Sequence, residues 1–300
     1  MDKLSHTQKS GNINQKSLFM TIAAPILWSF GALGIRSVEA SSWSIIFYRS
    51  IAMSIAVFLL CFVIYKKNVI KVYRNIGRPG LLVSIFLGIT TLFYVLSLSK
   101  TTVANALLVQ GTAPIWATIL GIIFLKEKVK ILNWLTIIAS FIGIIVLVAN
   151  QGIKIHFLGD IFALITAFGL AAQILIIRKN PHIEMIPIAS IGGLIAAIFS
   201  LFFKPSFQVN FHDLSILICL GTFQIGLGYI LFYRGSKDLP PSLSSLITLL
   251  ETVLGPIWVL IFLGEKISSN AVIGGLIIII SLVCNTLITT RIPSKTSETK

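Results

Sequence analysis

The residues able to do chemistry are few, and the most telling are out of place for their surroundings. Glu251 lies near the middle of the apolar run Leu243–Leu263. A carboxylate at that depth of a bilayer costs on the order of 2.5–3.5 kcal/mol on insertion scales. It is tolerated where it faces a partner, a wet cavity or a substrate. Thr248 lies three residues before it and Ser244 seven before, so the three share one helix face. That face reads as a cavity wall binding an amine or a proton, or as a protonated acid hydrogen-bonded to a neighbouring helix. Arg49 stands six residues after Trp43, about 9 Å along a helix at 1.5 Å per residue. Its planar fork suits a carboxylate, its stem is long enough to snorkel to the interface, and its charge could pair with Glu251. Pro114 removes a backbone donor and frees the carbonyl of Gln110 one turn earlier, so a helix break or a plain kink is expected there. Trp28, Gln173 and Thr166 are further candidates to line the same cavity, with Asn105, Gln224 and Tyr229 behind them.

These side chains need helices to hold them. Ten apolar runs have about the length required to cross roughly 30 Å of hydrocarbon. They are Leu18–Ile35, Ser44–Tyr65, Gly80–Ser99, Val103–Leu125 and Asn133–Ala149, then Leu158–Ile177, Ile186–Phe203, Leu214–Tyr233, Leu243–Leu263 and Ala271–Thr290. None alternates with period two, and lipid admits only helices or closed barrels. The expectation is an all-α integral membrane protein with ten transmembrane helices.

Composition agrees. Of 300 residues, 56% are hydrophobic and 11% charged, and the mean hydropathy is +0.95, outside the range of soluble domains. A net charge of +14 would suggest nucleic acid in a soluble protein. Here the cations lie between apolar runs, where they set topology, so no nucleic-acid partner is expected. With the N-terminus inside, 18 Lys and Arg fall in inner segments and 5 in outer ones. That asymmetry places both termini in the cytoplasm and the protein in the cytoplasmic (inner) membrane. Leu18 onward reads as an uncleaved first span. Cys61, Cys219 and Cys284 sit in apolar runs without paired spacing and read as buried small hydrophobes, not as a disulfide or metal set.

The chain also repeats. At a shift of 138, Leu125-Lys126-Glu127-Lys128 meets Leu263-Gly264-Glu265-Lys266, Phe30-Gly31 meets Phe168-Gly169, and Gly88 meets Gly226. One register therefore joins a five-span unit at 18–150 to a second at 158–290, between tails 1–17 and 291–300. An odd number of spans inverts the second copy, the arrangement used for alternating access to a midplane site. The same shift sets Gln110 and Pro114 on Thr248 and Thr252.

Ala113-Pro114-Ile115 with Phe124-Leu125-Lys126-Glu127, and Glu251-Thr252-Val253 with Phe262-Leu263-Gly264-Glu265, resemble motifs of EamA-type, ten-helix members of the drug/metabolite transporter superfamily. Arg49 and Trp28 are similar to positions often seen there. The resemblance covers residues 18–290 and implies a carrier of small metabolites, commonly amino acids or related compounds. Where that family has Glu-Pro-Val, this chain has Glu251-Thr252-Val253 and a proline one turn later, so the break in the ninth span is expected near Pro256.

Rival readings fare worse. An intramembrane enzyme would need a nucleophile with a base or metal ligands, yet all four histidines lie in tails or loops. A carrier of phosphorylated solutes would want several cations in the cavity, and only Arg49 lies within a span. A cation-drug antiporter would want an acid in the first span, which has none; drug or toxic-compound efflux stays the alternative, ahead of a channel or other non-transport role. The expectation is a secondary transporter, exporter or exchanger, monomeric or homodimeric, without cofactor or metal. Its substrate is a small metabolite held by Trp28, Arg49, Gln110, Gln173, Thr248 and Glu251. No ATP-binding motif is present, so energy would come from the solute gradient or from protons taken up at Glu251.

Overall fold

The computed structural model describes residues 14–101, 103–127, 129–149, 157–263 and 269–291. Every regular element among them is helical. The first span is α1 (Gln15–Trp28) and α2 (Phe30–Arg36), broken at Ser29 one turn after Pro25. The second is α3 (Ser42–Tyr65), followed by a 3-10 turn and the short α4 (Val69–Asn75). Then come α5 (Gly77–Lys100), α6 (Val103–Gln110) with α7 (Ala113–Leu125), and α8 (Ile131–Val148). The second half runs α9 (Phe157–Lys179), α10 (Ile186–Leu201), α11 (Phe211–Cys219) joined to α12 (Gly228–Ser236), α13 (Pro241–Thr248) with α14 (Leu250–Leu263), and α15 (Ser269–Arg291).

Among the described residues, six helical stretches are long and apolar enough to cross a bilayer, and four shorter apolar helices complete the set of ten. Local signals account for many ends. Asn14 caps α1 by accepting from the Lys16 amide at 3.0 Å, Ser41 caps α3 through the Ser44 amide at 3.2 Å, and Asn210 caps α11 through the Asp213 amide at 2.7 Å. The outward faces of α3, α10 and α15 present Phe62, Val63, Ile198 and Ile280, about half exposed or more. Apolar side chains turned outward are what a lipid solvent favours.

Packing obeys an exchange of each span with the one five further on. The second span packs on the seventh and the fifth on the tenth, pairs that the exchange maps onto themselves. The third packs on the sixth, and its image, the first on the eighth, is present; the fourth meets the ninth. Two inverted five-helix repeats are therefore interleaved, not set side by side. The larger apolar core draws Trp28, Met53, Leu87, Ile174, Ile188 and Phe232 from both repeats. The peripheral α8–α15 pair is tied by side-chain amides: Asn285 Nδ2 donates to Asn133 Oδ1 at 3.0 Å and Thr136 Oγ1 at 2.9 Å. Such interhelical hydrogen bonds are the glue available in lipid.

Three expectations need correction. The ninth span breaks at Leu249, not near Pro256, and α14 continues helical through residue 256. The side chain of Pro256 lies outside the described residues, as do Glu265, Lys266 and the tails before 14 and after 291. Cys61 is buried, but Cys219 and Cys284 are exposed on the bundle's outer face, where a small apolar group costs nothing. The first span is not one continuous helix, because Pro25 removes a donor and the helix fails one turn later.

Candidate functional site

Four spans lose regular helical geometry, and the losses converge. Spans one, four and nine break at Ser29, at Gly111–Thr112 and at Leu249, and span eight is π-helical over Leu220–Leu227. Interruptions leave backbone groups that lipid cannot satisfy, so they survive only inside protein or beside a polar cavity. They border a cavity of about 60 Å³ between the repeats. Trp28 ends α1, Gln110 ends α6, Glu251 is the second residue of α14, and Gln224 and Ile225 belong to the π segment; all five line the cavity. Arg49 from α3, Thr90, Thr91 and Tyr94 from α5, and Thr166 from α9 complete its polar wall.

Arg49 is only 3% exposed. Its Nη2 donates to Gln224 Oε1 at 3.3 Å, and its Cζ lies 5.4 Å from the centre of the Tyr94 ring, a cation–π distance. Nε and Nη1 have no hydrogen-bond partner among the described residues. A buried donor left unmade costs about 1–3 kcal/mol, more when charged, so these two nitrogens call for water or an anionic ligand. Gln224 is itself held, donating from Nε2 to the carbonyl oxygen of Trp28 at 3.0 Å. That carbonyl is available because α1 ends there. Gly221 lets the π segment approach so closely: a Cβ at 221 would collide with the carbonyl oxygen of Arg49.

Glu251 and Arg49 form no ion pair. Tyr94 stands between them, donating its hydroxyl to Glu251 Oε1 at 3.4 Å while its ring faces the guanidinium. The break at Leu249 places Glu251 in the first turn of α14, where the helix dipole and unpaired amides favour a negative charge. A cation donor, an acid and a phenol thus face one small space. Their array fits a solute carrying both a carboxylate and an amine, or either alone.

The remaining candidates are placed as follows. Trp28 lines the cavity, but its ring also packs on Tyr229 and Phe232, with centroids 4.8 and 5.0 Å away. Gln110 lines the cavity, and its Nε2 has no partner among the described residues. Gln173 is not in the lining: it accepts from Tyr233 at 2.7 Å and donates to Thr90 Oγ1 and the Gly169 carbonyl, both at 3.2 Å. It braces the cavity wall from behind. Thr248 ends α13 with its hydroxyl bonded to the Ser245 carbonyl at 2.6 Å, away from the cavity. Pro114 is buried in the first turn of α7, just past the break. Asn105's side chain lies outside the described residues, while Gln224 and Tyr229 take central places. Tyr94 was not anticipated from sequence. Its signal is a polar stripe, Thr90, Thr91, Tyr94 and Ser97, at helical spacing on an apolar helix.

Among the described residues no three His, Cys, Asp or Glu side chains gather as a metal site would require.

Comparison with known proteins agrees with this architecture. A crystal structure superposes with a TM-score of 0.80 over 93% of this chain and 99% of its own, at 18% identity, which establishes a shared fold. An "uncharacterized transporter" of Clostridium kluyveri is 26% identical over 181 residues, 54% of this chain and 56% of that protein. Another of Methanothermobacter thermautotrophicus is 22% identical over 201 residues, 64% of this chain and 59% of that protein. The alignments thus span under two thirds of each relative. The EamA-like transporter family matches twice, over residues 15–149 and 157–287. Those two matches are the two interleaved repeats, and the chain belongs to the EamA-like transporter family.

Proposed function

We propose that the protein is a secondary carrier that exports or exchanges a small zwitterionic or weakly charged metabolite, with amino acids as the leading class. It works in the cytoplasmic membrane by alternating access, with both termini in the cytoplasm. The observation that carries this reading is Arg49, buried at the cavity with two nitrogens unpartnered among the described residues and separated from Glu251 by Tyr94. Arg49 would take a carboxylate in its planar fork. Glu251 would take the substrate ammonium or a proton, since intramembrane acids mark solute and proton paths. A cavity of about 60 Å³ favours a small solute over a bulky drug.

Counterflow into proteoliposomes, with a labelled pool of amino acids and small metabolites, tests the reading. The expected result is accumulation of one chemical class, abolished by excess unlabelled competitor. Glu251→Gln is expected to lose coupling or binding while still inserting and folding. Normal counterflow and normal pH dependence in that variant would remove Glu251 from the mechanism.

A further inference from the structure

Two of the cationic side chains at this end of the bundle face an acid. Arg178 faces Glu127 at 4.0 Å and Arg234 faces Glu184 at 3.7 Å. The segment that follows α3 is different. Residues 66–80 carry Lys66, Lys67, Lys71, Arg74 and Arg78 and not one acid. Among the described residues none of these five has an ion-pair partner. Setting topology does not require such a concentration in one short segment.

The helix is also pinned. The chain turns at Lys66, whose φ is +46°, and enters the 3-10 turn and α4. Tyr73 reaches inward to share a hydrogen bond with Ser190 at 2.7 Å and meets the Phe58 ring edge-on at 5.9 Å. Val69 and Ile76 are buried. With that face anchored, the opposite one is held outward as an open, shallow surface lined by Lys67, Ile70, Lys71, Arg74 and Asn75. Ile70 is 70% exposed among these cations. The surface begins where the apolar run of α3 ends at Tyr65, directly beyond the outward-facing Phe62 and Val63. Lipid phosphates are expected at the level where such an apolar run ends.

We propose that the outer face of the 3-10 turn and α4 is a binding site for anionic phospholipid headgroups, with Lys67, Lys71 and Arg74 on the phosphodiester and Ile70 at the top of the acyl chains. Clusters of four or more cations just beyond a membrane helix attract anionic lipid, and the attraction is screened within a Debye length. The inference is independent of what the carrier moves.

The test uses the full-length protein in neutral detergent micelles, unfolded by heat while phosphatidylglycerol or phosphatidylcholine of identical chains is titrated in. A ligand that binds only the folded state raises the melting temperature. Phosphatidylglycerol is expected to raise it at 50 mM salt and far less at 500 mM, and phosphatidylcholine to leave it unmoved. Lys67→Gln and Lys71→Gln, both at exposed positions, are each expected to weaken phosphatidylglycerol binding about five-fold. Lys126→Gln and Lys179→Gln, exposed cations elsewhere, are expected to leave it unchanged. Equal stabilisation by the two lipids would overturn the proposal. So would equal loss from the α4 and control variants, or reproduction of the effect by soluble glycerol phosphate.

Discussion

Arg49 and Glu251 show how one small cavity can hold two ionisable side chains without an ion pair. A guanidinium and a carboxylate in direct contact would neutralise each other and leave little for a ligand. Here Tyr94 takes both roles, ring to the cation and hydroxyl to the acid. Tyr94→Phe keeps the ring and deletes the only donor to Glu251 seen among the described residues. A hydrogen bond to a charged group is worth about 1.5–3 kcal/mol. The expected outcome is a KM in counterflow raised roughly tenfold or more, with the melting temperature nearly unchanged. An unchanged KM would mean that Tyr94 merely fills space.

At the scale of elements, the site is built from helix interruptions. Breaks in α1–α2, α6–α7 and α13–α14 present chain ends to the cavity, and the π segment adds Gln224. The π geometry depends on Gly221 packing against the backbone of α3 at Arg49. Gly221→Ala would force a methyl group into the Arg49 carbonyl oxygen, and overpacking of this kind costs about 1–3 kcal/mol. Gly255→Ala is the matched control, because a Cβ there meets nothing closer than the Ser29 carbonyl oxygen at 3.9 Å. Thermal unfolding in detergent is expected to show a marked loss for the first variant. The second should be neutral or slightly stabilised, since alanine is the better helix former.

At the scale of the molecule, the proposed alternating access would use the exchange symmetry of the repeats to close either end of the same cavity. In this structure one end is tied by contacts between the repeats. Ser17 donates to Asp238 at 2.7 Å, and Arg178, which also donates to the Lys237 carbonyl of its own repeat at 3.0 Å, faces Glu127. Glu127 lies beyond the end of α7, outside the spans. Burial pushes its carboxyl above the usual carboxylate range, and the Arg178 charge offsets this only in part. A raised folded pKa means that folding favours the protonated acid. The stabilisation is therefore complete below the ordinary carboxylate range and is lost as pH rises through the raised value. The melting temperature of the wild type, less that of Glu127→Gln, is expected to fall with rising pH over that window. A difference that instead rises with pH would show that the attraction of Arg178 outweighs burial.

Apolar length and lysine placement are local properties, and they sufficed for ten helices, their approximate ends and the inverted repeat at a shift of 138. They also singled out Glu251 and Arg49, because a charged residue inside an apolar run is visible without any neighbour. What the interruptions do was only partly legible. Pro114 marks a break because proline acts within its own turn, and Pro25 carries the same signal for Ser29. The break at Leu249 has no such residue, and Pro256 pointed elsewhere. Packing decides these places: Trp258 of α14 donates to Ser29 Oγ at 2.7 Å and stacks on Phe30 at 4.4 Å, so two broken spans support each other across the repeats. Gln173 and Thr248 have the right types and the right spans, yet their polar groups find partners inside the bundle. Tyr94 drew no notice because a tyrosine in an apolar helix is ordinary until its neighbours are known. Side-chain type sets what a residue is able to bind; only the meeting of distant helices determines whether that capacity is already satisfied or is left facing the cavity.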